Sequence, residues 1–132
     1  MTRKQAIRWN QLQDRLAIPM AALDSLLKAE RTLHRWAEQE CGDSNDYGTS
    51  WCITRDETTG KPYREVYPAS GKSYRTAIKD MERGALRRIA ALCAENGLTY
   101  YHQTDPRGCA LYVAREPLTD QNYSSIGVAV CI

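Results

Sequence analysis

The stretch Leu98–Ala114, LTYYHQTDPRGCALYVA, limits the folds open to this chain more than any other. Two short runs rich in β-branched and aromatic residues flank Asp105-Pro106-Arg107-Gly108. Pro106 presets the backbone for the second position of a type I turn. Asp105 can accept a hydrogen bond from the backbone just ahead, and Gly108 tolerates a left-handed exit. The stretch therefore reads as a β-hairpin with an arginine at its tip, and it calls for antiparallel sheet. With Thr104 opposite Cys109, His102 lies across from Leu111 and Tyr100 across from Val113, on a face that looks buried. Tyr101 pairs with Tyr112 on the other face. A bulge at Gly108 would shift this register by one.

Helical patterns occupy the first third of the chain. Thr2 followed by Gln5 fits a capping box, and Trp9, Leu12 and Leu16 form a sparse apolar stripe behind it. Pro19 suits the first turn of a second helix, which runs to Cys41 on Leu23, Leu26, Ala29, Leu33, Trp36 and Ala37. Gly42 is a C-terminal stop, and Asp43–Ser50 is a loop by composition. A second hairpin follows: Trp51–Thr54 and Tyr63–Tyr67 flank the turn-rich Asp56–Lys61. Pro62 argues that its return strand is an edge.

A third helix is expected from Ser70–Ser73 to Asn96-Gly97, with Tyr74, Ile78, Met81, Ala85, Ile89, Leu92 and Cys93 on its apolar face. Arg75, Lys79, Arg83 and Arg87 recur every fourth residue and would stack on its polar face. After the Leu98–Ala114 hairpin and a loop, Ile126–Ile132 (IGVAVCI) is a continuous apolar run. Such a run reads as a strand covered on both faces, central in a sheet. The expected architecture is one α+β domain over residues 1–132. An antiparallel sheet of four to five strands packs against three helices in the order ααββαβββ.

The chain has 132 residues, enough for a real but modest core. Its net charge is only +2, so basic character has to be local to matter. The five cysteines are odd in number and show no C-x-x-C pair, and the charged N-terminus is unlike a signal peptide. The expectation is a cytoplasmic protein with reduced, mostly buried thiols, no membrane span and no cofactor.

Few residues point to chemistry. His34, Cys41 and Cys52 could meet around one loop as metal ligands, but buried thiols account for them more simply, and no metal site is expected. Cys109 and His102 could approach across the hairpin as a nucleophile and base. His102 faces the core in the expected register, which weakens that dyad, and no enzyme is expected. The basic ladder is the better candidate, because such a face can track phosphates or dock an acidic surface. Arg107 at the turn tip could engage carboxylate or phosphate bidentately, with Tyr101 and Tyr112 adding stacking. The candidate binding set is thus Arg75, Lys79, Arg83, Arg87, Tyr101, Arg107 and Tyr112. Tyrosine-rich strands leave a homodimer open.

From the third helix onward the chain resembles small accessory proteins of tailed bacteriophages. The resembling segments are AALCAENGLTYYHQ, TDPRGCALYV and NYSSIGVAVCI, with LHRWAEQECG upstream, and the resemblance as a whole spans roughly half the chain. The resemblance brings no catalytic motif with it. It implies a setting, a phage protein expressed inside a bacterium, where such proteins often act by binding, including on host defence systems such as CRISPR effectors. The leading expectation is a non-enzymatic protein that inhibits a bacterial defence complex by occupying a protein surface. The alternative is a phosphate-, nucleotide- or nucleic-acid-binding protein that uses the basic helix face and Arg107.

Overall fold

The computed structural model describes residues 1–41, 49–69, 71–104 and 109–132, without the side chains of Glu40 and Cys41. The Gly42 stop, most of the Asp43–Ser50 loop and the turn carrying Arg107 lie outside the described residues. Helix α1 (Arg3–Leu16) starts with the expected capping box: the Gln5 N–H donates to Thr2 Oγ1 at 3.1 Å and the Thr2 N–H to Gln5 Oε1 at 2.8 Å. It ends at Ala17, which takes the left-handed conformation with φ 51°. Helix α2 (Met20–Cys41) follows, and Leu23, Leu26, Ala29, Leu33 and Ala37 are buried along one stripe.

Strands β1 (Ser50–Arg55) and β2 (Pro62–Tyr67) form the expected first hairpin, with Trp51 opposite Val66 and Ile53 opposite Arg64. Its turn is held by Asp56, whose Oδ1 accepts the N–H groups of Thr58 and Thr59 at 2.8 and 2.9 Å. The Thr59 and Thr58 donors hold the Asp56 carboxyl below its usual range.

The next element departs from expectation. Tyr74–Ala77 is a strand, β3, and helix α3 (Asp80–Glu95) begins only after it. Tyr74 and Thr76 suit a strand, and β2 offers an open side to pair with: Val66 lies opposite Tyr74 and Tyr63 opposite Ala77. Lys79 then takes extended geometry as the N-cap, and its N–H donates to the Glu82 carboxylate at 3.1 Å. The ladder of Arg75, Lys79, Arg83 and Arg87 is therefore broken, since Arg75 lies on a strand and Lys79 at the cap. β2 becomes the middle strand, so Pro62 does not mark an edge strand. It is the first residue of β2, beyond the last β2–β3 pair, where its missing N–H costs no bond on that side.

Strands β4 (Thr99–Tyr101) and β5 (Tyr112–Ala114) pair in the expected register, Tyr100 with Val113 and Tyr101 with Tyr112. The final apolar run is not a central strand. Ile126 closes a single helical turn, α4 (Tyr123–Ile126), and only β6 (Val128–Ala129) pairs, at the edge beside β5. Val128, Ala129 and Val130 are nonetheless buried. Arg8 of α1 donates to the carbonyls of Ala129 and Cys131, which blunts an open edge.

The α+β class stands. In place of one sheet in the order ααββαβββ, the order among the described residues is ααβββαββαβ with two three-stranded antiparallel sheets, β1-β2-β3 and β4-β5-β6. The two meet at a short seam, where Cys52 bridges Gln103 in antiparallel fashion. The Ile53 N–H donates to the His102 carbonyl and the Thr104 N–H to the Trp51 carbonyl, both at 3.1 Å. The buried Thr104 hydroxyl also accepts from the Trp51 N–H at 3.1 Å.

The core gathers Leu12, Leu23, Leu26 and Leu33 from the first two helices, Trp51 and Val66 from one sheet, Ile89 from α3, and Leu111, Val113 and Val130 around the other sheet. Within it lies an ion pair absent from the sequence reading: Arg64 of β2 meets Glu82 of α3, and both side chains are fully buried. Arg64 also donates to Thr76 Oγ1 at 3.3 Å and lies 5.2 Å from the Trp51 ring centroid.

Cysteine usage is corrected too. Cys109 and Cys131 form a disulfide, with Cα atoms 5.7 Å apart, because the residues before β5 and after β6 are neighbours. Cys52 and Cys93 are free, and burial pushes the Cys93 thiol up to about 11. Among the described residues no helix is long and apolar enough to cross a membrane.

Candidate ligand-binding cleft

Helix α3 presents two faces. Ala85, Ile89 and Leu92 point into the core. Beside them Arg83, Leu86, Arg87 and Ala90 follow the i, i+3, i+4, i+7 spacing of a single stripe, and this stripe forms one wall of a cleft. Ile53 and Arg55, two apart on β1 and so on one face, supply the opposite wall together with Pro62, the partner of Arg55. Tyr100, Tyr101 and His102, at the end of β4, complete it. The cleft therefore sits against the seam between the sheets. Its volume of about 550 Å³ falls within the range of small-molecule sites.

Three guanidinium groups, those of Arg55, Arg83 and Arg87, line this cleft, and among the described residues no carboxylate does. Arg55 donates to the Gly60 carbonyl at 2.9 Å, and Arg83 pairs with the exposed Asp80. Arg87 has no ion pair among the described residues. Convergent arginines with few counter-charges attract anions, and a planar guanidinium can grip phosphate or carboxylate in two-point fashion.

His102 is the buried polar group of the wall, with only 8% of its surface exposed. Burial, with the Arg55 charge adding to it, pushes its imidazole down to about 4, so the ring is neutral. The Ala110 backbone works against this shift, and Nδ1 is buried without a hydrogen-bond partner among the described residues. The Tyr100 ring lies 5.2 Å from the imidazole, tilted by 52°, and is 38% exposed.

The cleft unites three of the seven candidate binding residues: Arg83, Arg87 and Tyr101. Arg75 is elsewhere, 4.1 Å above the Tyr63 ring and 3.2 Å from Asp56. Lys79 caps α3. Tyr112 is buried rather than presented: Tyr123 stacks on Tyr101 at 4.8 Å and meets Tyr112 edge-on at 5.1 Å, filling the tyrosine face expected to receive a ligand. Arg107 lies outside the described residues.

The Cys109–His102 dyad is overturned, because the Cys109 sulfur is bonded to Cys131. Of the three residues weighed as metal ligands, His34 bonds Glu38 at 2.8 Å and Cys52 contacts the Tyr67 hydroxyl at 3.9 Å, while the Cys41 side chain is outside the described residues. Among the described residues no group of three or more metal-ligating side chains occurs.

Sequence reasoning missed Arg55 and Tyr100. Their signal is alternation: Arg55 shares a strand face with Trp51 and Ile53, and Tyr100 shares one with His102. A second cavity of about 500 Å³ between α1 and α2 is less suited to anions, since Glu30 joins Lys4, Arg8 and Arg31 in its wall and Arg8 is engaged by the β6 edge. Comparison of the chain with protein-family models, with curated proteins and with solved structures finds no match.

Proposed function

We propose that this protein is a non-enzymatic binding protein whose cleft, bounded by α3, β1 and the end of β4, takes a small phosphorylated ligand. The observation that carries this reading is a concave wall holding three arginines, an accessible aromatic ring and, among the described residues, no carboxylate. A phosphate group suits the guanidinium side, and a planar group suits Tyr100. Cys109, the one candidate nucleophile that lay close to a candidate base, is taken up in a disulfide, which fits a binding role.

The phage resemblance supplies the setting for this proposal: a protein made inside a bacterium that inhibits a host defence system. Within that setting the cleft favours withholding a phosphorylated small molecule over covering a protein surface. Recovery of the protein from host lysate, with bound proteins and bound nucleotides both identified, separates these two modes.

The direct test is titration calorimetry with pyrophosphate and with nucleoside 5′-phosphates at rising salt concentration. Binding should weaken steadily with salt, and Arg87→Ala should weaken it about tenfold, the loss of one charge-assisted contact. Absence of phosphate binding at low salt sinks the proposal.

A further inference from the structure

We infer that the phosphorylated ligand of this cleft is a short extended peptide, held as a guest strand between the open edges of β1 and β4, with its phosphate among Arg55, Arg83 and Arg87. This rests on the phosphate-binding reading above and adds the class of molecule that carries the phosphate.

Strand β1 is an outer strand of one sheet and β4 of the other. Among the described residues the two meet in antiparallel fashion at the Cys52–Gln103 bridge, through the backbone bonds from Thr104 to Trp51 and from Ile53 to His102. Next to the bridge they part, and the cleft lies between them. Ile53, Thr54 and Arg55 line one side, and Tyr100, Tyr101 and His102 the other. Side chains alternate between the two faces of a strand. A lining of consecutive residues, from both strands, therefore marks a gap that reaches the strand edges themselves.

Backbone polar groups point into this gap. Along a strand the N–H and C=O groups alternate between its two sides. The Trp51 carbonyl and the Ile53 N–H face β4, so the Arg55 backbone, two residues on, faces the same way. Within the hairpin Arg55 lies opposite Pro62, which has no N–H, and the ladder bond falls instead to Asp56, whose N–H donates to the Lys61 carbonyl at 2.9 Å. The His102 carbonyl faces β1, and the Tyr100 backbone, two residues earlier, does so too. Open edges of this kind take up an extended peptide through main-chain bonds. A guest here joins β3-β2-β1 to β4-β5-β6 as one continuous sheet, antiparallel to one neighbour and parallel to the other. The open edge from Ile53 to Arg55 is about 10 Å long, enough for about three or four guest residues.

The α3 stripe of Arg83, Leu86, Arg87 and Ala90 lines the same cleft. Alternate guest side chains face that stripe, about 7 Å apart. One that carries a phosphate meets Arg83 and Arg87, and an apolar one two residues away meets Leu86 and Ala90. With three arginines and, among the described residues, no carboxylate in the lining, the charge of the cleft complements a phosphorylated segment.

The test uses the whole protein and a blocked pentapeptide, valine-threonine-phosphoserine-threonine-valine. Pyrophosphate and AMP are the probes that carry phosphate without a peptide backbone. A second form of the peptide has esters in place of its threonine amides, which removes N–H donors and keeps the side chains. In calorimetric titration the peptide should bind at least tenfold more tightly than pyrophosphate or AMP. The ester form should lose about tenfold, a difference of about 1.4 kcal/mol, and the serine form without phosphate at least as much. The peptide should also slow hydrogen exchange at the Arg55 and Tyr100 amides, and pyrophosphate should not. Equal affinity of ester and amide forms, unchanged exchange at both amides, or binding of pyrophosphate without the peptide overturns the guest strand and leaves the phosphate reading in place. Tighter binding of AMP than of the peptide overturns the assignment to a peptide. Failure of the peptide, AMP and pyrophosphate alike to bind removes both readings together.

Discussion

Arg64 and Glu82 are each other's counter-charge in a place with no access to water. The attraction between them offsets the cost of taking two ions out of water, so removing one partner is far worse than removing both. Arg64→Met should destabilise the protein by about 3–5 kcal/mol in urea unfolding, through the unpaired Glu82 carboxylate, and Arg64→Met with Glu82→Leu should restore most of that loss. Additive losses in the double variant would show that the pair acts through packing alone. His102 couples stability to pH in a known direction. Its folded value lies near 4, against 6.5 for the free imidazole, so the unfolded chain binds the extra proton. Stability should therefore be unaffected by this group above pH 6.5, fall as the pH drops from 6.5 to 4, and level off below, for a total of about 3 kcal/mol. Urea midpoints across that window check it, with a His102→Gln variant losing the dependence. Neither property was legible in the sequence. Arg64 and Glu82 read as ordinary surface charges 18 positions apart in the sequence, and only the fold brings them together across β2 and α3.

At the scale of elements, local rules predicted best where one element's own chemistry decides its conformation. The Thr2–Gln5 capping box, the stripe of α2, the Asp56–Gly60 turn and the Tyr101–Tyr112 register all follow from spacing and turn chemistry. The errors share a different cause. Lys72–Lys79 fits a helical ladder and a strand about equally, and the open side of β2 decided for the strand. Within Ile126–Ile132 only Val128, Ala129 and Val130 are buried, Ile126 and Ile132 are exposed, and the open edge of the segment is met by α1 rather than by a flanking strand. The cleft was half legible for the same reason. Arg83 and Arg87 follow from helical spacing, whereas Arg55 and Tyr100 join them only because β1 and β4 lie side by side. One local rule is broken in the structure itself: α1 ends on Ala17 at φ 51°, where a side chain is strained and glycine is not. Ala17→Gly should raise stability by about 0.5–1 kcal/mol, read as an upward shift of the urea midpoint. A lower midpoint would mean that the unfolded chain's gain in freedom outweighs the relieved strain.

Across the whole molecule the chain's two ends are drawn together. The disulfide joins Cys131 to Cys109, and Arg8 grips the backbone of the same C-terminal segment. A crosslink across 22 residues should contribute about 3 kcal/mol, mainly by restricting the unfolded chain. Unfolding with and without reductant measures it, and Cys109→Ser with Cys131→Ser should match the reduced protein. No change on reduction would show that the bond contributes nothing to stability. The rest of the molecule is held less redundantly. Among the described residues, hydrogen bonds join the two sheets at one bridging pair and around it, at Trp51, Ile53, His102 and Thr104, over a core that both sheets share. The cleft straddles that line, with Arg55 on one side and Tyr100 on the other. On the proposed reading, a ligand lodged there would be a splint as much as a cargo. It would span a joint that the described residues cross with few hydrogen bonds, so binding there should stiffen the joint and raise stability together.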